Sequence, residues 1–258
     1  MINKNKRAQV TIFIIIAILI VAMVALFFML RGGMNKEGPS VSETINPESF
    51  LKTCMEEAVE ETIEILSYQG GYMENDLNIS FMFTEEGRSW DISYLCYTNV
   101  EGENCVIQQP SIINHMERGF EKDEGELADE LDYCFDTLVK SYQDIGYAVD
   151  SDYNNFTADL IEDKLILNIN AKLTLTKTEQ TQRYDGFEMK FPTKLYNLGK
   201  IVNDIIEAEA NVGGFDETVY AFTEYKVAQE PTVPSPDKIY TIEHRKTKEK
   251  FRIAIRGK

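Results

Sequence analysis

One stretch constrains this chain before any other. Residues 10–30, VTIFIIIAILIVAMVALFFML, run for 21 positions without a charge. A helix rising about 1.5 Å per residue would carry that run across a hydrocarbon core of about 30 Å. Cleavable secretory signals have shorter apolar regions, of ~7–15 residues, closed by small residues. Here the run ends at Arg31-Gly32-Gly33. Lys4, Lys6 and Arg7 precede it, and Arg31 and Lys36 follow closely. The positive-inside rule then puts Met1 in the cytoplasm and residues 34–258 outside. The expected location is the cell membrane, crossed once, with a cytoplasmic N-terminus and an extracellular C-terminal domain.

Charge narrows the partners. The chain has a net charge of -17, yet residues 1–31 hold four bases and no acid, leaving 22 bases against 43 acids beyond them. A domain of that sign repels nucleic acid and anionic lipid, so no nucleic-acid partner is expected. Hydrophobic content of 43% argues for a packed core. The length beyond the apolar run suits one large domain or two small ones.

Residues 1–9 read as a cytoplasmic basic tip, 10–30 as the membrane anchor and 31–46 as a polar linker. Asn46-Pro47-Glu48 is a helix start. Leu51, Cys54, Met55, Ala58, Thr62 and Leu66 share one face of that helix, which Gly70-Gly71 ends. Leu77, Ile79, Phe81 and Phe83 alternate with polar neighbours and pair across a turn with a strand holding Trp90, Ile92 and Tyr94. Helices are predicted at 111–118, 126–143 and 193–211. Strands are predicted at 156–161, 165–175, 187–191 and 217–227, with a hairpin joining 238–244 to 250–256. The predicted fold is α+β, an ectodomain of antiparallel β-hairpins packed with amphipathic helices at 47–212 and a C-terminal hairpin region at 213–258. Helix endings at Tyr68-Gln69-Gly70-Gly71-Tyr72 and at Tyr142 to Tyr147 suggest two helix-plus-hairpin units, 47–109 and 110–212, although helices ending at glycine also recur by chance.

Four cysteines outside the cytoplasm permit three pairings. Cys96 and Cys105 close a short loop easily, which leaves Cys54 with Cys134, each on the apolar stripe of its helix. Four buried thiols are the alternative. Zinc spacing is absent, and the only histidines are His115 and His244, both expected at the surface. Asn78 and Asn155 head two sequons and are candidate glycosylation sites. Asp150, Asp152 and Asn154 match the start of a calcium loop, but Asn155 and Ile161 occupy its glycine and glutamate positions, so a turn before a strand is preferred. Arg245, Lys246, Lys248 and Lys250 read as a solvated hairpin tip, with contact to acidic patches on a copy of the same protein as the alternative; the expected partner is a protein on the cell surface or the chain itself. No nucleophile elbow, phosphate loop or metalloprotease motif occurs, so no catalytic residue, cofactor or metal is assigned.

The string Lys6-Arg7-Ala8-Gln9-Val10-Thr11-Ile12-Phe13 resembles archaeal type IV pilin-like (class III) signal sequences. With Gln69-Gly70-Gly71-Tyr72 it is similar to a set of uncharacterised surface proteins of small-genome DPANN archaea. The resemblance implies a cell-surface location, with Ala8 and Gln9 as candidate processing positions, and no activity. The expected function is thus a membrane-anchored cell-surface protein with a structural or adhesive protein-binding role, and not an enzyme. Two alternatives stand beside it. One is a type IV pilin-like subunit of an extracellular filament; the other is a surface-tethered hydrolase using carboxylates.

Overall fold

Helix α1 (Pro47–Tyr68) starts where the Asn46 side chain accepts the Glu48 N–H at 3.0 Å and Pro47 presets the first turn. This computed structural model describes residues 46–258 apart from 76, 86, 123–124 and 232–235. The helix buries Phe50, Leu51, Met55, Val59, Thr62 and Leu66, while Glu56, Glu57, Glu60 and Glu61 face solvent. Gly70 and Gly71 end it with φ of +75° and +87°. A Cβ on Gly71 would lie 2.5 Å from Ile112 Cδ1, so this left-handed turn also needs the missing side chain. It delivers Tyr72 into the core, its ring 4.1 Å from that of His115.

Two sheets follow. Strands β1 (Ser80–Glu85), β2 (Arg88–Tyr97), β3 (Val106–Ile107), β7 (Tyr225–Pro231), β8 (Asp237–His244) and β9 (Lys250–Arg256) make a six-stranded sheet in the order β1-β2-β9-β8-β7, with β3 on β2. Strands β4 (Ala148–Ile161), β5 (Lys164–Lys177) and β6 (Gln180–Pro192) make a separate antiparallel sheet. Helices α2 (Ile112–Phe120), α3 (Glu126–Asp144) and α4 (Leu195–Val212) complete the fold. One apolar core runs through all four helices and both sheets, from Leu51 and Leu131 to Leu173, Ile205 and Ile253. The 47–109 and 110–212 stretches therefore feed different sheets, and the C-terminal hairpin β8–β9 joins the first of them.

Two expectations are corrected. The larger sheet is mixed, because β2 has β1 on one flank and takes β9 in parallel on the other, with Cys96 opposite Ile255. Among the described residues, moreover, no helix is long and apolar enough to cross a membrane, each helix having a polar face. This overturns the single-pass fold class. The membrane-anchored cell-surface role, the single-pass location, the membrane partner, and the filament and tethered-hydrolase alternatives go with it. Residues 10–30, which carried that expectation, and Ala8 and Gln9 lie outside the described residues.

Side chains tie the layers together. Glu249, next to the β8–β9 tip, accepts the Lys194 N–H and the Thr193 hydroxyl at 2.7 Å each, capping the start of α4 from a distant strand. Glu117 and Glu121 of α2 and its end reach the outer edge of β4, accepting the N–H groups of Leu160 and Ala158 at 2.9 and 2.8 Å.

Four tyrosines are held protonated, mainly by burial. The Tyr142 phenol is pushed up to about 12, and those of Tyr94, Tyr220 and Tyr240 are raised too, helped by the carboxylates of Asp237, Asp204 and Glu209. A raised folded value means the unfolded chain gives up its protons first. The contribution to stability is complete below the ordinary phenol value of 10 and is lost as pH climbs towards 12 and beyond. Chemical denaturation midpoints should therefore fall steadily above pH 10, with tyrosinate absorbance appearing together with unfolding. Free ionisation of all tyrosines in the folded protein is the contrary result.

Candidate functional site

The α1 terminus, the β1–β2 hairpin and β9 converge on one pocket. Tyr68 lies in the last turn of α1, Glu85 ends β1, Arg88 and Trp90 open β2, and Glu64 sits one turn before Tyr68. These five side chains line a cavity of about 410 Å³. The Tyr68 and Trp90 rings stack with centroids 4.9 Å apart. Phe83 opposes Trp90 across the hairpin.

Behind this pocket lies Arg252 of β9, 1% exposed. Its guanidinium sits 4.8 Å from the Tyr68 ring centre and 4.7 Å from that of Phe83. The Nη2 donates to Glu85 Oε2, Nε lies 3.4 Å from Thr241 Oγ1, and Nη1 has no hydrogen-bond partner among the described residues. Burying a cation is tolerable here because two ring faces and one carboxylate replace its water. The hydrogen bond from Arg252 in turn holds the Glu85 carboxyl below the usual carboxylate range, against the raising effect of its burial. Glu85 is thus a fixed acceptor and a poor proton donor.

At the mouth the balance is looser. Arg88 pairs with Glu64 at 3.2 Å, and the two side chains are 72% and 46% exposed. An ion pair that wet contributes about 0–1 kcal/mol, so an incoming cation can exchange with Arg88. The arrangement offers the Trp90 ring and the oxygens of Glu64 and Glu85 to a flat, donor-rich cation, while Tyr68 is already taken by Trp90 and by Arg252, and Lys250 lies 3.8 Å from Glu85.

The residues singled out from sequence are scattered elsewhere. Cys54 of α1 bonds to Cys134 of α3, with Cα atoms 5.9 Å apart, and Cys96 bonds to Cys105, at 5.3 Å. Cys54, Glu130 and Cys134 are close enough to share an ion, but both sulfurs are spent in the disulfide, so no thiolate is left to bind one. Asn78 is exposed, with φ of +53°, just before β1. Asn155 is exposed on β4, its carboxamide oxygen accepting from Asn170 at 3.2 Å. Asp150, Asp152 and Asn154 lie on the extended β4 instead of a loop, so they cannot wrap a cation between them.

His244 corrects the expectation of a surface histidine, for it is 2% exposed. The tip after β8 folds back so that Nδ1 accepts the Thr247 N–H at 3.2 Å, and its ring packs 5.1 Å from that of Tyr225. His115 is half-buried against Tyr72. Glu209 of α4, Tyr240 and Lys238 of β8 also form a polar cluster. Lys238 Nζ donates to Glu209 Oε2 at 2.7 Å and the Tyr240 hydroxyl donates to Oε1. With Glu209 1% and Tyr240 0% exposed, they meet no substrate from solvent.

Sequence reasoning found the hairpin that carries Glu85 and Trp90 but not the pocket. Arg252, the missing member, stands in the expected strand 250–256, where FRIAI alternates one charge among apolar residues. That inward charge was the available signal.

Comparison with protein-family models, curated proteins and solved structures finds no match for this chain.

Proposed function

We propose that the domain is a binding module, not an enzyme, and that the Tyr68–Trp90 pocket takes a guanidinium-bearing ligand, such as an exposed arginine side chain. The carrying observation is the aromatic stack beside Glu64 and Glu85. The protein already uses the same chemistry one layer deeper, where Arg252 is held by rings and Glu85. The domain's acidic surface favours approach of a basic ligand. Against Glu85 as a general acid stands its lowered carboxyl, held ionised by Arg252.

Trp90 is the chain's one tryptophan, so its emission reports on this pocket alone. Titration with arginine amide should change the emission saturably and less at high salt. Citrulline amide, the same shape without the charge, should leave it flat. R88A removes the resident competitor and should tighten binding by up to about fivefold, the equivalent of roughly 1 kcal/mol. Equal responses to both amides, or none to either, would sink the proposal.

A further inference from the structure

The disulfide between α1 and α3 conceals a second chemistry. Glu130 and Cys134 stand four residues apart on α3 and so share one face of that helix. Cys54 reaches them from α1, which packs against α3. The ligand atoms of all three residues lie within 4.8 Å of one another, and no other such group of His, Cys, Asp and Glu occurs among the described residues. Glu130 Oε1 lies 4.0 Å from Cys134 Sγ, yet a bridged sulfur has no proton to donate. The closed bridge therefore gives that carboxylate no hydrogen bond.

Opening the bridge leaves the two thiols as neighbours. Leu51 and Met55 beside Cys54, and Leu131 and Phe135 beside Cys134, are buried in one core, so packing as well as sulfur holds the helices together. Cys134 is buried and Cys54 half-buried, so the Cys54 sulfur is the one a small dithiol can attack. That attack forms a mixed disulfide on Cys54 and releases Cys134 as a thiolate. The reductant's second sulfur then displaces Cys54 and the reductant leaves as its own disulfide. Two electrons and two protons have passed to the protein.

We propose that the reduced chain binds a zinc-class ion through Cys54 Sγ, Cys134 Sγ and a Glu130 oxygen, and that the disulfide is the switch that excludes it. Two thiolates select a borderline-soft divalent ion over calcium or magnesium, which take oxygen ligands. Side-chain rotation has to part the sulfurs to about 3.8 Å, the separation that two Zn–S bonds of about 2.3 Å give at a tetrahedral ion. Both thiol protons leave for solvent as the metal binds. Three protein ligands leave the fourth tetrahedral place to water. Reoxidation by a small-molecule disulfide takes the two electrons back from the sulfurs and expels the ion.

Cobalt(II) is the probe, because thiolate ligands give it a charge-transfer absorption. The full chain is reduced, freed of reductant, checked by circular dichroism and titrated with cobalt and then zinc. The band should saturate at one ion per chain, fade as zinc displaces cobalt, and stay absent from the oxidised protein. C54S should lose it, and C96S/C105S should keep it. E130Q still forms both bridges and should bind cobalt about tenfold more weakly or worse, since even the partners of metal ligands contribute that much. Zinc should also raise the melting temperature of the reduced chain and leave the oxidised one unmoved. A reduced chain without the band, a band that persists in C54S, or equal affinity in E130Q overturns the proposal.

Discussion

Replacing Glu209 by alanine should destabilise the domain by about 3–5 kcal/mol, the range for breaking a buried ion pair by removing one partner. Glu209 joins α4 to β8 through Tyr240 and Lys238, and the ammonium also donates to the Gly213 and Lys258 carbonyls at 3.0 and 2.7 Å. Without the Glu209 carboxylate, a mostly buried ammonium loses its side-chain counter-charge and keeps only the backbone oxygens of Gly213 and Lys258. At roughly 2–4 °C per kcal/mol for a domain of this size, the melting temperature should drop by about 10 °C. E209Q retains an acceptor for Tyr240 and should fall between the wild type and E209A. The double variant E209L/K238M removes both charges and should recover much of the loss, since an apolar pair of similar volume often matches a buried ion pair. Equal losses in E209A and E209L/K238M would mean that packing, not the charge, is what Glu209 supplies.

The second large effect separates the two disulfides. Cys54–Cys134 closes a loop of 80 positions and Cys96–Cys105 one of 9. On the chain-entropy account the long loop contributes about 4 kcal/mol and the short one about 2–3 kcal/mol. Urea denaturation of C54A/C134A and C96A/C105A should show that order. The long bridge also pins α1 against α3 across the core, so its loss should loosen both helices in hydrogen exchange. If the short loop proves the costlier to open, the bridges act through the folded state and not through the restricted unfolded chain.

Local signals exposed much of this architecture. Asn46-Pro47 marks the start of α1, and the alternation at 165–175 marks β5, because in both places burial follows the period of one element. The first half of β4 gave no such signal. Asp150, Ser151, Asp152, Asn154 and Asn155 are polar on both faces, and only Phe156, Ala158 and Leu160 turn inward. The segment is extended because β5 pairs with it, a tertiary cause that propensity does not register. Residues 217–224 looked strand-like but form a 3-10 turn, since Asp216 accepts the Thr218 N–H at 3.0 Å and holds the chain coiled before β7. The parallel register of β2 with β9 joins residues more than 150 positions apart. The pocket was hidden for the same reason, for Tyr68, Trp90 and Arg252 come from three separate elements and no spacing announces their meeting.

The carboxylates of Glu117 and Glu121 have a consequence for the protein in crowded solution. A three-stranded sheet with an outer strand of 14 residues is a template on which foreign extended segments can grow. Templating needs free backbone donors in a row. Leu160 and Ala158 spend theirs on side chains that offer no further ladder, and α2 stands where the next strand would lie. The inner half of that edge is thereby insulated from amyloid-like stacking, and the protection is written in two glutamates one helical turn apart.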